Sequence, residues 1–285
     1  GMIFQEPMTA LNPVMTIGRQ VAEPLVRHLG MRPKDALDRA ADVMASCGIP
    51  DAAQRLYQYP HQLSGGLRQR AAIAMALSCG PSLLIADEPT TALDVTIQAG
   101  ILDLLDRLRR EKNMGLILVT HDLGVAAQRC SDIAVMYAGR FVETAPAREL
   151  FSRMRMPYTR ALFDSLPRLD TCTHKRLKTI EGRPPDLVSP QKGCSFEPRC
   201  VYAREKCRRK SPPFFPGDKG SHRWACWYPI GIGTGEGGNR EYSQISQKKN
   251  HDSAMPPDRE AVLDVKGLGV DYSLGPQKTL HAVMD

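Results

Sequence analysis

Leu83-Leu84-Ile85-Ala86-Asp87-Glu88-Pro89-Thr90-Thr91-Ala92-Leu93-Asp94 is the stretch whose reading decides the fold. Four apolar residues run straight into two adjacent carboxylates. A short apolar run of this kind suits a strand buried in a parallel sheet. Open α/β sheets carry their chemistry at the carboxyl ends of the strands. Asp87 would therefore emerge where a metal-bound phosphate can reach it, and Glu88 beside it would orient or deprotonate a water. Alone the pair is a weak signal, because core strands often end in polar residues.

Two further stretches strengthen it. Leu63-Ser64-Gly65-Gly66-Leu67-Arg68-Gln69-Arg70 leads into Ala71-Ala72-Ile73-Ala74-Met75-Ala76-Leu77, a strong helix former with Ser64 where an N-cap belongs. Two glycines at the start of a helix let the backbone approach a ligand closely, and the unpaired N–H groups there attract anions. The same Ser-Gly-Gly also suits a plain turn and cap. Downstream, Gly115-Leu116-Ile117-Leu118-Val119-Thr120 reads as a second buried strand that delivers His121 and Asp122 to its end. A lone histidine at such a place is more often a packing or capping residue than a catalytic one.

Order and spacing change those odds. Taken together, the set resembles the nucleotide-binding subunit of ABC transporters. Phe4-Gln5-Glu6 is similar to the Q-loop, Leu63 to Arg70 to the signature motif, and Leu83 to Glu88 to Walker B with its glutamate. Thr91 to Asp94 resembles the D-loop, and Thr120-His121-Asp122 the switch histidine. The resemblance implies an α/β, ABC-type P-loop NTPase fold with ATP and Mg2+ as its ligands. It implies that Gln5 contacts the magnesium or the attacking water, and that Asp87 holds magnesium through water. Glu88 would polarise that water, and His121 would stabilise charge on the γ-phosphate. Ser64, Gly65 and Gly66, with Gln69 in the same motif, would bind the nucleotide held by an opposing domain. Asp94 would shape the dimer interface. The physical logic agrees, since phosphoryl transfer is mainly positioning plus neutralisation of developing charge.

No Gly-x-x-x-x-Gly-Lys-Ser/Thr motif occurs in the 285 residues. The expectation is a fold lacking its N-terminal part, inactive alone, with a degenerate subunit as the less favoured reading. Residues 231–259 are rich in Gly, Ser, Gln, Lys and Asn, the composition of a linker. Residues 261–285 hold two short apolar runs around a Gly-Pro turn and resemble the opening strands of a second ABC domain. The expected organisation is thus an ABC nucleotide-binding domain at 1–145, with a helical subdomain about 14–80. An extension at 146–230, a linker at 231–260 and a truncated second domain at 261–285 would follow. The parent would be a tandem ATPase, which the intact mass of the native gene product would test.

The extension narrows the family. Residues 146–168 look helical, with Pro146 in a first turn. The segments Gly193 to Cys200 and His222 to Pro229 resemble the C-terminal extension of dipeptide, oligopeptide, glutathione and nickel importer ATPases. Cys194, Cys200, Cys207 and Cys226 are spaced x5, x6 and x18, unlike the Cys-x2-Cys pairs of zinc ribbons or the close runs of small ferredoxins. A chain without a signal peptide is expected to keep thiols reduced, so clustered cysteines argue for metal over disulfides. The resemblance implies a [4Fe–4S] cluster on these four, preferred over zinc. Cys47, Cys79 and Cys130 lie in apolar helical contexts and read as core residues, whereas Cys172 has no counterpart.

Composition sets the remaining bounds. A 42% hydrophobic content leaves room for a substantial core. No run approaches the length that spans a bilayer. Of the net charge of +7, residues 172–226 supply a surplus of eight, from thirteen Lys or Arg against five Asp or Glu. The aromatics there flank cysteines instead of alternating with the charges, so contact with an anionic membrane surface or plain solvation accounts for the patch as well, and no nucleic-acid partner is expected. Segments 17–29 and 34–47 have helical apolar spacing, which suits ordinary amphipathic helices; the family resemblance implies that they form the subdomain that docks on membrane subunits. The expected partners are a second nucleotide-binding domain, integral-membrane permease subunits and, indirectly, a solute-binding protein. The expected location is peripheral, at the cytoplasmic face of the inner membrane. A soluble ABC ATPase acting on nucleic acid or ribosomes is the competing class, and the cysteine extension weighs against it.

Overall fold

The computed structural model describes residues 1–5, 10–91, 93–166, 179–188, 192–217, 221–231, 270–273 and 279–283. The chain divides into two compact units, Gly1–Asp122 and Leu123–Asp285.

The first unit is built on a parallel sheet of β1 (Met2–Ile3), β2 (Leu83–Asp87) and β3 (Gly115–Val119), in that order. The register pairs Ile3 with Ala86 and Asp87 with Val119. Because the strands are parallel, all three carboxyl ends reach the same edge of the sheet. That edge receives Gln5 after β1, Glu88 after β2 and His121 after β3. The apolar run at Leu83 is the central strand expected from the sequence, with Leu84 and Ala86 fully buried.

The β1–β2 connection passes through α1 (Ile17–Leu29), α2 (Pro33–Ser46), the one-turn α3 (Ala52–Arg55) and α4 (Gly65–Leu77). Ile17, Val21 and Leu25 recur every four residues and form the buried stripe of α1. Gly30, in the left-handed region at φ 64°, ends that helix and donates to the Leu25 carbonyl. In α2, Ala36, Ala40, Val43 and Met44 face the same core. Its last carbonyls are capped from elsewhere in the unit: Arg70 Nη1 donates to Cys47 O at 2.7 Å and Arg107 Nη2 to Ser46 O at 2.9 Å. The β2–β3 connection is α5 (Val95–Glu111), whose Ile101, Leu104, Leu105 and Leu108 follow an i, i+3, i+4, i+7 pattern into the core. Helices at 17–29 and 33–46 match the spacing seen in the sequence almost residue for residue.

In the second unit, α6 (Leu123–Arg129) leads to β4 (Asp132–Tyr137) and β5 (Arg140–Pro146), an antiparallel hairpin. Ala138 and Gly139 turn it with φ of 52° and 75°, the left-handed pair that suits a two-residue hairpin. The strand order is β4-β5-β7-β6, with β6 (Phe215–Pro216) and β7 (Arg223–Trp224) added from the extension. The continuous helix expected over 146–168 is instead two, α7 (Ala147–Ser152) and α8 (Pro157–Asp164). Pro146 ends β5, and Pro157 restarts the helix because a proline lacks the N–H that an interior position needs. α9 (Glu205–Arg209) carries Cys207, and β8 (Val270–Ser273) pairs antiparallel with β9 (Thr279–Val283). The 231–259 segment lies, apart from Gly231, outside the described residues, as do Cys172 and the Gly-Pro turn before β9. No helix among the described residues is long and apolar enough to cross a membrane.

Candidate functional site

Glu88 is the convergence point of the first unit. Its backbone N–H donates to the Val119 carbonyl at 3.0 Å, which fixes it to β3, and its φ of 42° lies in the left-handed region that few L-residues adopt. That turn out of the strand presents the carboxylate at the sheet edge. Gln5 Nε2 donates to Oε2 at 3.1 Å, Thr91 Oγ1 donates to the same oxygen at 2.8 Å, and His121 Nδ1 lies 3.1 Å from Oε1. Three residues that are 83, 3 and 33 positions away in sequence thus hold one carboxylate. The hydrogen bond from His121, then that from Thr91, lowers the Glu88 carboxyl below its ordinary value, against the small opposing effect of burial. The group is an ionised acceptor at neutral pH, able to take or orient the proton of a water. His121 itself is largely exposed, so its ring is free to meet a ligand from solvent.

Asp87 closes β2 beside Glu88, in register with Val119. Ser64 caps α4, its Oγ accepting from Leu67 N at 3.4 Å, and Gly65 and Gly66 form the first turn. Among the described contacts none ties Ser64, Gly65 or Gly66 to Glu88. Asp94 caps α5 by accepting from Ile97 N at 2.9 Å. Gln69, expected among the nucleotide ligands, is placed differently: it is 1% exposed and its Nε2 donates to the Pro89 carbonyl at 2.6 Å. An amide turned inward to that degree is an internal tie within the unit. Thr91 is the participant that the sequence reasoning passed over as a Glu88 partner. Its signal was a hydroxyl three residues beyond the glutamate, across a turn closed by Thr91 N donating to Glu88 O at 3.1 Å.

The second unit brings Cys194, Cys200, Cys207 and Cys226 to the lining of one pocket, together with Met156, Pro157, Phe196 and Trp227. All four are free thiols. Burial raises the thiol of Cys226 to about 12 and that of Cys200 to about 11, and it raises Cys194 too, with proximity to the other cysteines adding to each. Among the described residues no three His, Cys, Asp or Glu side chains are arranged to hold one metal ion. Thiolates on a single tetrahedral zinc sit roughly 3.8 Å apart, given Zn–S bonds of about 2.3 Å. The four thiols are not drawn together to that degree among the described residues. Cys47 is fully buried in the first unit, and Cys79 is partly buried against the same core. Cys130 packs partly buried in the second.

The sequence reasoning also missed a polar knot behind that pocket. Glu143 on β5 is 0% exposed and accepts from Arg155 N at 2.6 Å, from Met156 N at 3.1 Å and from His222 Nε2 at 2.8 Å. It pins the strand that precedes Cys226 to the sheet.

A parallel strand ending in Asp-Glu, with a glutamine and a histidine delivered to its glutamate and a Ser-Gly-Gly helix start, defines an ABC-type ATPase fold. Comparison with known proteins agrees. The family described as "ABC transporter" matches residues 1–91, and "Oligopeptide/dipeptide transporter, C-terminal region" matches residues 142–207. A Brucella melitensis protein named for peptide import and ATP binding is 55% identical over 218 residues, 75% of this chain and 64% of its own length. The dipeptide transport ATP-binding protein of Bacillus subtilis is 50% identical over 79% of this chain and 67% of its own. For the oligopeptide transport ATP-binding protein of Salmonella typhimurium the figures are 48%, 80% and 68%. The chain therefore belongs to the ABC transporter ATP-binding proteins of the peptide-transport family. It spans about two thirds of the length of these relatives, and 64% of the Brucella protein.

Proposed function

We propose that this chain supplies the hydrolytic and coupling elements of an ATPase that drives import of di- or oligopeptides, or of a ligand such as glutathione or nickel taken up by the same transporter type. The single observation that carries the reading is the convergence of Gln5, Thr91 and His121 on the Glu88 carboxylate at the carboxyl end of a parallel strand. ATP is the substrate, and magnesium held near Asp87 would neutralise phosphate charge. Glu88 accepts the proton of the attacking water, Gln5 and Thr91 aim its second oxygen, and His121 holds the first. Ser64, Gly65 and Gly66 offer the helix N-terminus to the phosphate of a nucleotide bound by a second domain, and Asp94 holds the start of α5 at that interface. α1 and α2 form the surface for a permease subunit at the cytoplasmic face of the membrane, with a solute-binding protein acting on the other side.

In the complete protein, Glu88→Gln is expected to abolish ATP hydrolysis while ATP binding persists. Preserved turnover would remove Glu88 from this role. Cys194, Cys200, Cys207 and Cys226 would hold a [4Fe–4S] cluster, which would staple the core-poor extension. Protein purified without oxygen is expected to be brown, with broad absorbance near about 400 nm. Colourless protein containing stoichiometric zinc would sink that assignment.

A further inference from the structure

Gln69 sits one turn beyond Gly65 on α4, so the two share a helix face. Its amide is buried and reaches 20 positions along the chain to donate to the Pro89 carbonyl at 2.6 Å. A carbonyl can only accept, so the NH2 end must point there and Oε1 must point away. That Oε1 is buried and has no hydrogen-bond partner among the described residues. A buried acceptor left unpaired is unfavourable, and an apolar side chain of similar volume would avoid it if packing were all that the position required. The amide is retained for one donor bond, and that bond lands on the turn carrying the catalytic glutamate.

The other anchors of the turn lie on either side of Pro89. Glu88 leaves β2 with φ of 42°, Thr91 N closes back on Glu88 O at 3.1 Å, and Thr91 Oγ1 aims the carboxylate at 2.8 Å. Pro89 lies between these points and donates no N–H of its own. Fixing its carbonyl fixes the Pro89–Thr90 peptide plane, one residue before Thr91. We propose that Gln69 is a positioning residue that ties the signature helix to the Glu88–Thr91 turn, so that displacement of α4 is transmitted to the aim of the Glu88 carboxylate. The proposal rests on the ATPase function above and deepens it. It makes the helix that meets one nucleotide the element that aligns the base for another, through a hydrogen bond within one chain.

The test uses the full-length protein in its transporter assembly, with three variants. Gln69→Leu keeps the volume and removes the donor. It should lower kcat about tenfold or more while ATP affinity, read with a fluorescent ATP analogue, stays within about twofold. Gln69→Glu supplies a group that donates to Pro89 O only when protonated, and burial raises its pKa. Its turnover relative to wild type should be highest near about pH 6 and fall about fivefold or more by about pH 8.5 as a carboxylate comes to face the carbonyl oxygen. Glu88→Gln serves as the control. If Glu88→Gln abolishes turnover while Gln69→Leu matches wild type, the positioning role is overturned and the ATPase function stands. An equal loss of binding and turnover in Gln69→Leu, or a flat pH ratio for Gln69→Glu, also overturns it. If Glu88→Gln keeps its turnover, it is the hydrolytic assignment that fails.

Discussion

Replacing His222 by alanine should loosen the extension selectively, and the structure sets the size of the effect. The imidazole is buried between Glu143, at 2.8 Å, and Glu149, at 3.6 Å. Glu143 is 0% exposed, so the variant leaves a buried side chain without its 2.8 Å imidazole partner. Removing a hydrogen-bond partner from a buried polar group costs about 1–3 kcal/mol. The amides of Arg155 and Met156 continue to donate to Glu143, but the ring's packing on Trp224 is lost as well, which places the expectation at the upper end, about 3 kcal/mol. Each 1.4 kcal/mol is tenfold in an equilibrium constant, so opening of this region should rise by about two orders of magnitude. Both tryptophans of the chain, Trp224 and Trp227, lie within five residues of His222, and Trp224 packs edge-on against its ring at 5.3 Å. Tryptophan fluorescence in urea therefore reports this region alone. With a slope of about 2 kcal/mol/M, the midpoint should fall by about 1.5 M. Glu149→Gln removes only a long contact to a partly exposed side chain and should cost less than about 1 kcal/mol. A His222→Ala midpoint within about 0.3 M of wild type, or an equal shift in the two variants, would refute the claim that the Glu143–His222 pair holds β7 in place.

Three other outcomes are expected. Asp94→Ala removes the 2.9 Å bond to Ile97 N and should cost about 1 kcal/mol, whereas Asp94→Asn should keep most of it, as calorimetry can measure. Gly65→Ala has space, its Cβ meeting only Leu93 Cδ2 at 3.8 Å, while Gly66→Ala would press on Ile97 Cγ2 at 3.0 Å. Gly65→Ala should therefore leave the melting temperature unchanged or higher while impairing ATP-dependent dimer closure, and Gly66→Ala should lower both; equal melting losses would contradict the packing. His121→Ala removes the largest cause of the lowered Glu88 pKa, so the carboxyl should rise towards its ordinary value in a carbon-detected titration. The sign follows from linkage. A depressed carboxyl contributes stability above its unfolded pKa and loses it as pH falls through the folded value, so the acid-side loss attributable to Glu88 should shrink in the variant.

Local chemistry was legible wherever it depended on near neighbours. The apolar run ending in Asp87-Glu88, the cap at Ser64 and the helices over 17–29 and 33–46 each rest on contacts within one element, whose period and capping residues are written in order along the chain. The break at 153–156 was legible in principle, since Pro157 carries the restart; apolar spacing on both sides of it masked the gap.

What lay beyond the sequence was direction. Gln5, Glu88 and His121 were each identifiable as chemical groups, but only a parallel register, with Asp87 opposite Val119, puts the ends of β1, β2 and β3 on one edge. Gln69 belongs by sequence to a ligand-binding motif, and it is the rotation of α4 about its axis that turns its amide inward to Pro89. Glu143 and His222 are 79 positions apart and give no local signal, because a buried hydrogen-bonded pair exists only once two distant strands have paired. The sequence by itself determined the inventory of groups and the family of the fold, since these follow from residue type and spacing. Which groups meet, and which way each one points, was decided by the tertiary structure, because strand register and helix rotation are set by packing across the whole core.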